Sequence, residues 1–161
     1  MSDMLVKLYN LPEVEPYARK LKEQGTVVRR AMAYEKHQIV QWVQMTFGAG
    51  WASESDIAFS NHPISCFIAV EAGKIMGFAC YDCTCRDFFG PTGVVAKKRG
   101  RGIGRTLLLS SLHAMAANGY AYAIIGSVDS AEFYKKTAGA EEIQGSSPGI
   151  YRDGLKKPES N

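Results

Sequence analysis

VVAKKRGRGIGRTLLLSSL, residues Val94 to Leu112, runs a short apolar strand into a basic, glycine-rich turn and then into a helix. Arg99, Gly102 and Gly104 have the spacing Arg-x-x-Gly-x-Gly, and Gly100 adds another residue without a Cβ where backbone amides would approach a ligand closely. The amides of Gly100, Arg101, Gly102, Ile103, Gly104, Arg105 and Thr106 fall at the open N-terminus of the helix. Unpaired N–H groups and the helix dipole favour negative charge there. Lys97, Lys98, Arg99, Arg101 and Arg105 crowd the same turn, a combination that suits phosphate or pyrophosphate better than carboxylate.

Spacing excludes two other phosphate loops. A P-loop needs Gly-x-x-x-x-Gly-Lys followed by Ser or Thr, whereas Gly104 is followed by Arg105 and Thr106. A dinucleotide fingerprint needs Gly-x-Gly-x-x-Gly, and the glycines here alternate at Gly100, Gly102 and Gly104. A solvated basic loop and a nucleic-acid patch are the plain alternatives. Against them, strand, turn, helix and the continuous apolar strand Ala121 to Val128 make one βαβ unit, with the turn at the carboxyl ends of parallel strands. A net charge of +3 is too slight to argue for nucleic acid.

With 161 residues, 46% of them hydrophobic, the chain suits one globular domain. Its longest apolar runs fall well short of the roughly 20 residues of a membrane span, and MSDMLVKLYN lacks a signal-peptide layout. The expectation is a cytoplasmic protein without membrane partners. Cys80, Cys83 and Cys85 crowd one strand and its end, unlike a disulfide framework, so with Cys66 they read as reduced thiols. A second ligand pair for a metal is not evident, so no metal site is expected.

Outward from the central stretch, Met4 to Tyr9 reads as a strand and Asn10 to Glu13 as a helix entry, with Pro12 at the first helical position and Gly25 as the stop. Residues 1–25 form an extension that either makes a homodimer contact or covers a sheet edge. Residues 26–161 form the main domain, opening with a strand from Thr26 to Met32. Tyr34 to Phe47 spaces Ile39, Val40, Val43 and Phe47 as one buried helical face. Trp51 to Asn61 reads as a short helix over the site's mouth. Strands at Cys66–Glu71 and Ile75–Cys85 form a hairpin, and the next, Asp87 to Ala96, is interrupted by Gly90-Pro91-Thr92-Gly93 and loses pairing partway along. The helix from Gly102 to Asn118 buries Leu107, Leu108, Leu109, Leu112 and Met115. A second helix covers Asp129 to Thr137, and Glu142 to Gly145 with Gly149 to Arg152 read as a closing hairpin. Residues 155–161 read as a loose tail.

The turn resembles motif A of the GNAT superfamily of acyl-CoA-dependent N-acyltransferases, where Arg/Gln-x-x-Gly-x-Gly/Ala cradles the coenzyme A pyrophosphate. The strand AYAIIGSV and the following Ala131-Glu132-Phe133-Tyr134, similar to the family's motif B, extend the resemblance from about Thr26 to the C-terminus. It implies an α/β fold: a mixed, mostly antiparallel sheet with a splayed central parallel pair, flanked by helices. It also implies transfer of an acetyl group from acetyl-CoA to a primary amine of a small molecule or protein by direct attack. A non-catalytic acyl-CoA-binding or sensor module is the alternative.

Under the resemblance, amides freed on the strand at Val94 and Val95 bond the pantetheine and the thioester carbonyl, and Tyr134 protonates the leaving thiolate. Asp129 stands where the family often has asparagine; it either bonds pantetheine or caps the helix. The carboxylate that serves as base in histone-type relatives falls near Phe88, so that role is not carried over. Asp82, Asp87 and Glu71 are the nearby acids, each equally readable as a strand-end charge. Trp51, Glu54 and Asp56 are candidates for the acceptor pocket.

Overall fold

The structure, a computed structural model, describes residues 1–158. Its strands are β1 (Met4–Lys7), β2 (Thr26–Arg30), β3 (Cys66–Glu71), β4 (Lys74–Tyr81), β5 (Phe88–Val94), β6 (Tyr122–Ile125) and β7 (Glu141–Glu142). The helices are α1 (Glu15–Glu23), α2 (Lys36–Phe47), α3 (Ala49–Ala58), α4 (Ile103–Ala117) and α5 (Ala131–Ala138). The strands form one sheet in the order β2-β3-β4-β5-β6-β1-β7. Only β5 and β6 run parallel; every other neighbouring pair is antiparallel. This is the mixed, mostly antiparallel sheet that the resemblance implies.

Alternation along β3 and β4 divides two cores. Cys66, Ile68, Phe78 and Cys80 pack with Ile39 and Val43 of α2 and Ala52 and Ala58 of α3. Ala69, Ala79 and Tyr81 point the other way, onto Leu107, Leu108, Leu112 and Met115 of α4 and Leu21 of α1. These strands are buried on both faces, which is why they read as unbroken apolar runs. Burying each large side chain of α4 contributes about 1.5–3 kcal/mol, so this helix anchors its own N-terminal turn firmly.

The central pair is splayed. β5 and β6 register only at Phe88↔Ile124 and Phe89↔Ile125. Beyond that point β5 carries Gly90 at φ 120° and Pro91, which has no N–H to donate, and the β4–β5 register slips between Ala79 and Tyr81. The strand resumes against β4 at Thr92, Gly93 and Val94, leaving the side facing β6 unpaired.

Several boundaries depart from the sequence reading. Pro16, not Pro12, lies in the first turn of α1, whose N-cap is Val14. β4 ends at Tyr81 rather than Cys85, because Asp82 turns left-handed at φ 53° and its Oδ1 accepts the Asp87 N–H at 2.7 Å. β6 stops at Ile125; Ser127 is left-handed at φ 49° and its N–H donates to Asp3 Oδ1. The expected closing hairpin does not form. Glu141–Glu142 pairs with β1 instead, and Gly149–Tyr151 is a 3-10 turn. β1 lies within the sheet, bonded to β6 on one side and β7 on the other. Of the expected tail, residues 155–158 are exposed and 159–161 lie outside the described residues. Among the described residues no helix is long and apolar enough to cross a membrane.

Candidate active site

The glycine-rich turn enters α4 through Gly102, which adopts φ 87° and ψ 6° as its N-cap. That left-handed geometry suits glycine, and a residue without a side chain cannot cap the helix. The N–H groups of Gly102, Ile103, Gly104 and Arg105 therefore have no partner among the described residues. Ile103 is buried and seats this end of the helix in the core. Thr106, expected among the ligand donors, is not available. Its N–H and its hydroxyl both donate to the Gly102 carbonyl, at 3.1 and 2.9 Å, and it is fully buried.

The cations of the turn divide. Lys98 and Arg101 pair with Glu71 at 2.5 and 3.4 Å, and these cations hold the Glu71 carboxyl below its ordinary value. Glu71, one of the acids near the expected base position, is thereby committed to bracing the turn. Arg105 lies over the Tyr17 ring, 4.1 Å from its centroid. Arg99 donates from Nε to the Val94 carbonyl at 3.2 Å. Lys97, Arg99 and Arg105 are exposed and have no ion-pair partner among the described residues, Arg105 being held over a ring.

The expected donors Val94 and Val95 separate by strand parity. Val95 N–H donates to the Met76 carbonyl at 2.9 Å, so Val95 is not a free donor. Bonded and non-bonded pairs alternate in an antiparallel ladder. Val94, opposite Gly77, and Thr92, opposite Ala79, consequently aim their N–H groups away from β4 and into the splay. Thr92 was not among the residues read from the sequence. Counting back two places from Val94 would have found it, had the register been known.

A cleft of about 360 Å³ opens at the splay, lined in part by Phe89, Pro91, Thr92, Asp129 and Tyr134. Tyr134 stands on α5, 9% exposed, with its ring edge-on to Phe89 at 6.4 Å and to Phe133 at 5.0 Å. Burial, reinforced by the Asp129 charge, pushes its hydroxyl up to about 12. It is therefore held protonated at neutral pH. Asp129 is exposed on the cleft wall and makes no capping bond; the N-cap of α5 is Ser130.

Further lining comes from α3, the β4–β5 loop and the 3-10 turn at Gly149–Tyr151. Trp51 and Glu54 line the cleft there, with Thr84 donating its hydroxyl to Glu54 Oε1 at 2.5 Å. Tyr151 completes the rim, so close over Gly126 that a β-carbon there would lie 2.5 Å from its hydroxyl. Asp56, grouped with Trp51 and Glu54 in the sequence reading, faces elsewhere and pairs with Lys36 at 2.8 Å. Asp82 accepts from the Asp87 amide and from the Tyr120 hydroxyl. Asp87, its carboxyl pushed up by burial and then by Asp82, does not line the cleft. Among the described residues no group of three or more His, Cys, Asp or Glu side chains is arranged to hold a metal ion.

The Acetyltransferase (GNAT) family model matches residues 36–140, which includes α2, the glycine-rich turn and Tyr134. No curated protein matches the chain. Among solved structures, the chain is similar to the GCN5-related glucosamine N-acetyltransferase region of a fungal multi-domain GH3 β-N-acetylglucosaminidase, with a TM-score of 0.71 at 14% identity. It is also similar to a GCN5-related N-acetyltransferase from Sphaerobacter thermophilus, with a TM-score of 0.68 at 18% identity. Both matches cover 88% of this chain, but only 19% and 48% of those chains respectively. A GNAT family acetyltransferase from Brucella melitensis, solved in complex with acetyl-CoA, matches over 73% of this chain and 86% of its own, with a TM-score of 0.51 at 17% identity. At these identities the likeness is one of fold. With the family match spanning most of the sequence, the chain belongs to the GNAT acetyltransferase family.

Proposed function

We propose that the protein transfers an acetyl group from acetyl-CoA to a primary amine by direct attack. The observation that carries this reading is the alignment of two donor sets along one chain segment. Open amides at the start of α4 come after β5 by way of a 3-10 turn at Ala96–Lys98 and the basic loop, and the outward amides of β5 line the splay that holds Tyr134. The donor chemistry fits a long ligand with a phosphate at one end and a carbonyl at the other.

Acetyl-CoA supplies the acetyl group as an activated thioester. The N–H groups of Gly102, Ile103, Gly104 and Arg105, with Lys97 and Arg99, would hold its pyrophosphate. The amides of Val94 and Thr92 would hold the pantetheine and the thioester oxygen, favouring the negative charge that grows on that oxygen during attack. Tyr134 keeps its proton until a thiolate forms and then donates it. The Glu54 and Asp129 carboxylates on the cleft walls favour an acceptor that arrives as a cation, whether a small-molecule or a protein amine.

The test is release of free thiol from acetyl-CoA across a panel of small amines and peptide amines. Amine-dependent release is expected. Tight acetyl-CoA binding with no release for any amine would favour a binding module instead.

A further inference from the structure

We infer that Glu54 is the catalytic residue that receives the acceptor's ammonium group and takes its proton, so that the acceptor is an amine charged at neutral pH. The inference rests on the acetyltransfer reading. An ammonium nitrogen has no lone pair and cannot attack a carbonyl, so a proton must leave first. In that step one N–H bond breaks, one O–H bond forms at a Glu54 carboxylate oxygen, and the freed electron pair stays on nitrogen.

The other acids are otherwise engaged or placed. β5 contains no carboxylate, and the Phe88 ring packs against Gly126, 3.1 Å from where a β-carbon would stand. Glu71 is bound by Lys98 and Arg101, and Asp56 by Lys36. Asp82 does not line the cleft, and each of its oxygens accepts one bond, from the Asp87 amide and the Tyr120 hydroxyl. Glu54 lines the cleft, is half-buried, and has no cationic partner among the described residues. The Thr84 hydroxyl fixes one of its oxygens at 2.5 Å and leaves the other for a ligand. Trp51, one helical turn before Ser55 on the same helix, also lines the cleft, its ring packed on Phe47.

Asp129 is the remaining cleft carboxylate, but it stands on the wall that holds the proton donor, where its charge helps keep Tyr134 protonated. Attacking nitrogen and departing sulfur occupy different positions about the reacting carbon, so base and acid belong on different walls. Glu54 and Tyr134 both line the cleft, and their helices belong to different sheet faces: α3 packs in the core of α2, and Tyr134 of α5 in the core of α4. The titratable and charged groups around Glu54 are Cys83 and Cys85 of the β4–β5 loop, Tyr151 of the 3-10 turn, the Met1 ammonium, which donates to Ser147, and the Lys36–Asp56 pair behind α3.

Glu54→Gln keeps the acceptor for the Thr84 hydroxyl and removes only the ability to take a proton. With an alkylamine as probe, kcat/KM near neutral pH is expected to fall about 10²-fold or more and to climb as pH approaches the amine's own pKa. Glu54→Asp should restore part of the activity, while melting temperature and acetyl-CoA affinity stay at wild-type values. Activity of Glu54→Gln within about twofold of wild type across pH would overturn the assignment. So would a matching loss of acetyl-CoA affinity, or the same pH signature arising from Asp129→Asn instead. Wild-type protein inactive with every amine would sink the acetyltransfer reading and this assignment together; turnover that survives in Glu54→Gln sinks only the assignment.

Discussion

The ring of Phe47, at the last turn of α2, lies directly against Gly93 of β5: a β-carbon on Gly93 would stand 2.5 Å from its Cζ. The ring is itself walled in by Trp42, Trp51 and Phe78 at centroid distances of 5.6, 5.3 and 5.6 Å, so it cannot swing aside freely. Gly93→Ala should overpack this corner and cost about 1–3 kcal/mol in denaturant unfolding. Because the same aromatic cluster seats α3, turnover should fall together with stability. An unchanged unfolding midpoint would show that the corner repacks without strain.

Gly102 and Gly104 should fail for different reasons. At Gly104 a new β-carbon meets only ordinary contacts, 3.7 Å from Val94 Cγ2 and 3.8 Å from Phe133 Cζ. Gly104→Ala should therefore keep acetyl-CoA affinity, whereas the branched side chain of Gly104→Val should reduce it by about tenfold or more, a change of at least ~1.4 kcal/mol in calorimetry. Gly102→Val strains the backbone at φ 87° whatever is bound, so it should also lower the melting temperature.

Tyr134→Phe should lower kcat by about 10²-fold and leave acetyl-CoA affinity intact. Since the hydroxyl is pushed up to about 12, the wild-type rate should show no tyrosine limb in the ordinary assay range. Stability carries the signature instead. A folded-state pKa above the unfolded value of about 10 stabilises the fold below that pH, and the contribution is lost as pH rises from there towards 12. Wild type should lose about 2 kcal/mol more than Tyr134→Phe over that window, read from paired denaturant curves. Parallel curves would mean that the hydroxyl is not held in a water-poor site.

The thiols should react in order of exposure. Cys85 is exposed, while Cys66 and Cys80 are fully buried; burial pushes the Cys80 thiol up, and the Cys80 contact followed by burial does the same to Cys83. A thiol reagent on the native protein should label Cys85 quickly, and Cys66 and Cys80 only on unfolding. Peptide mapping that finds Cys80 labelled first would contradict this packing.

The βαβ unit was legible because its signals are local: an apolar run, alternating glycines and a leucine-rich helix lie in unbroken order between Val94 and Leu112. Tyr134 could be carried over by resemblance, and it does line the cleft. The amide donors were half legible. Choosing Val95 over Thr92 is an error of parity, and parity depends on the slip opposite Gly90-Pro91. The turn at Asp82 hides in a side chain-to-backbone bond, which leaves no hydrophobic pattern. Tyr151 was out of reach, since its place on the rim depends on β7 pairing with the chain's first strand instead of with its own neighbour.

That first strand has a consequence for biosynthesis. Met4 pairs with Ile125 and Glu142, so β1 finds its partners only after β6 and β7, far along the sequence, have been synthesised. Until then Met4 and Val6, buried in the finished protein, belong to a sticky nascent segment with both hydrogen-bonding edges bare. β2, β3 and β4 are joined by short-range pairing and are free to assemble earlier, leaving the β1–β6 contact as a late, non-local closure. The half of the sheet that carries β6, β1 and β7, beside Tyr134's cleft wall, is thus completed after the half built from β2, β3 and β4.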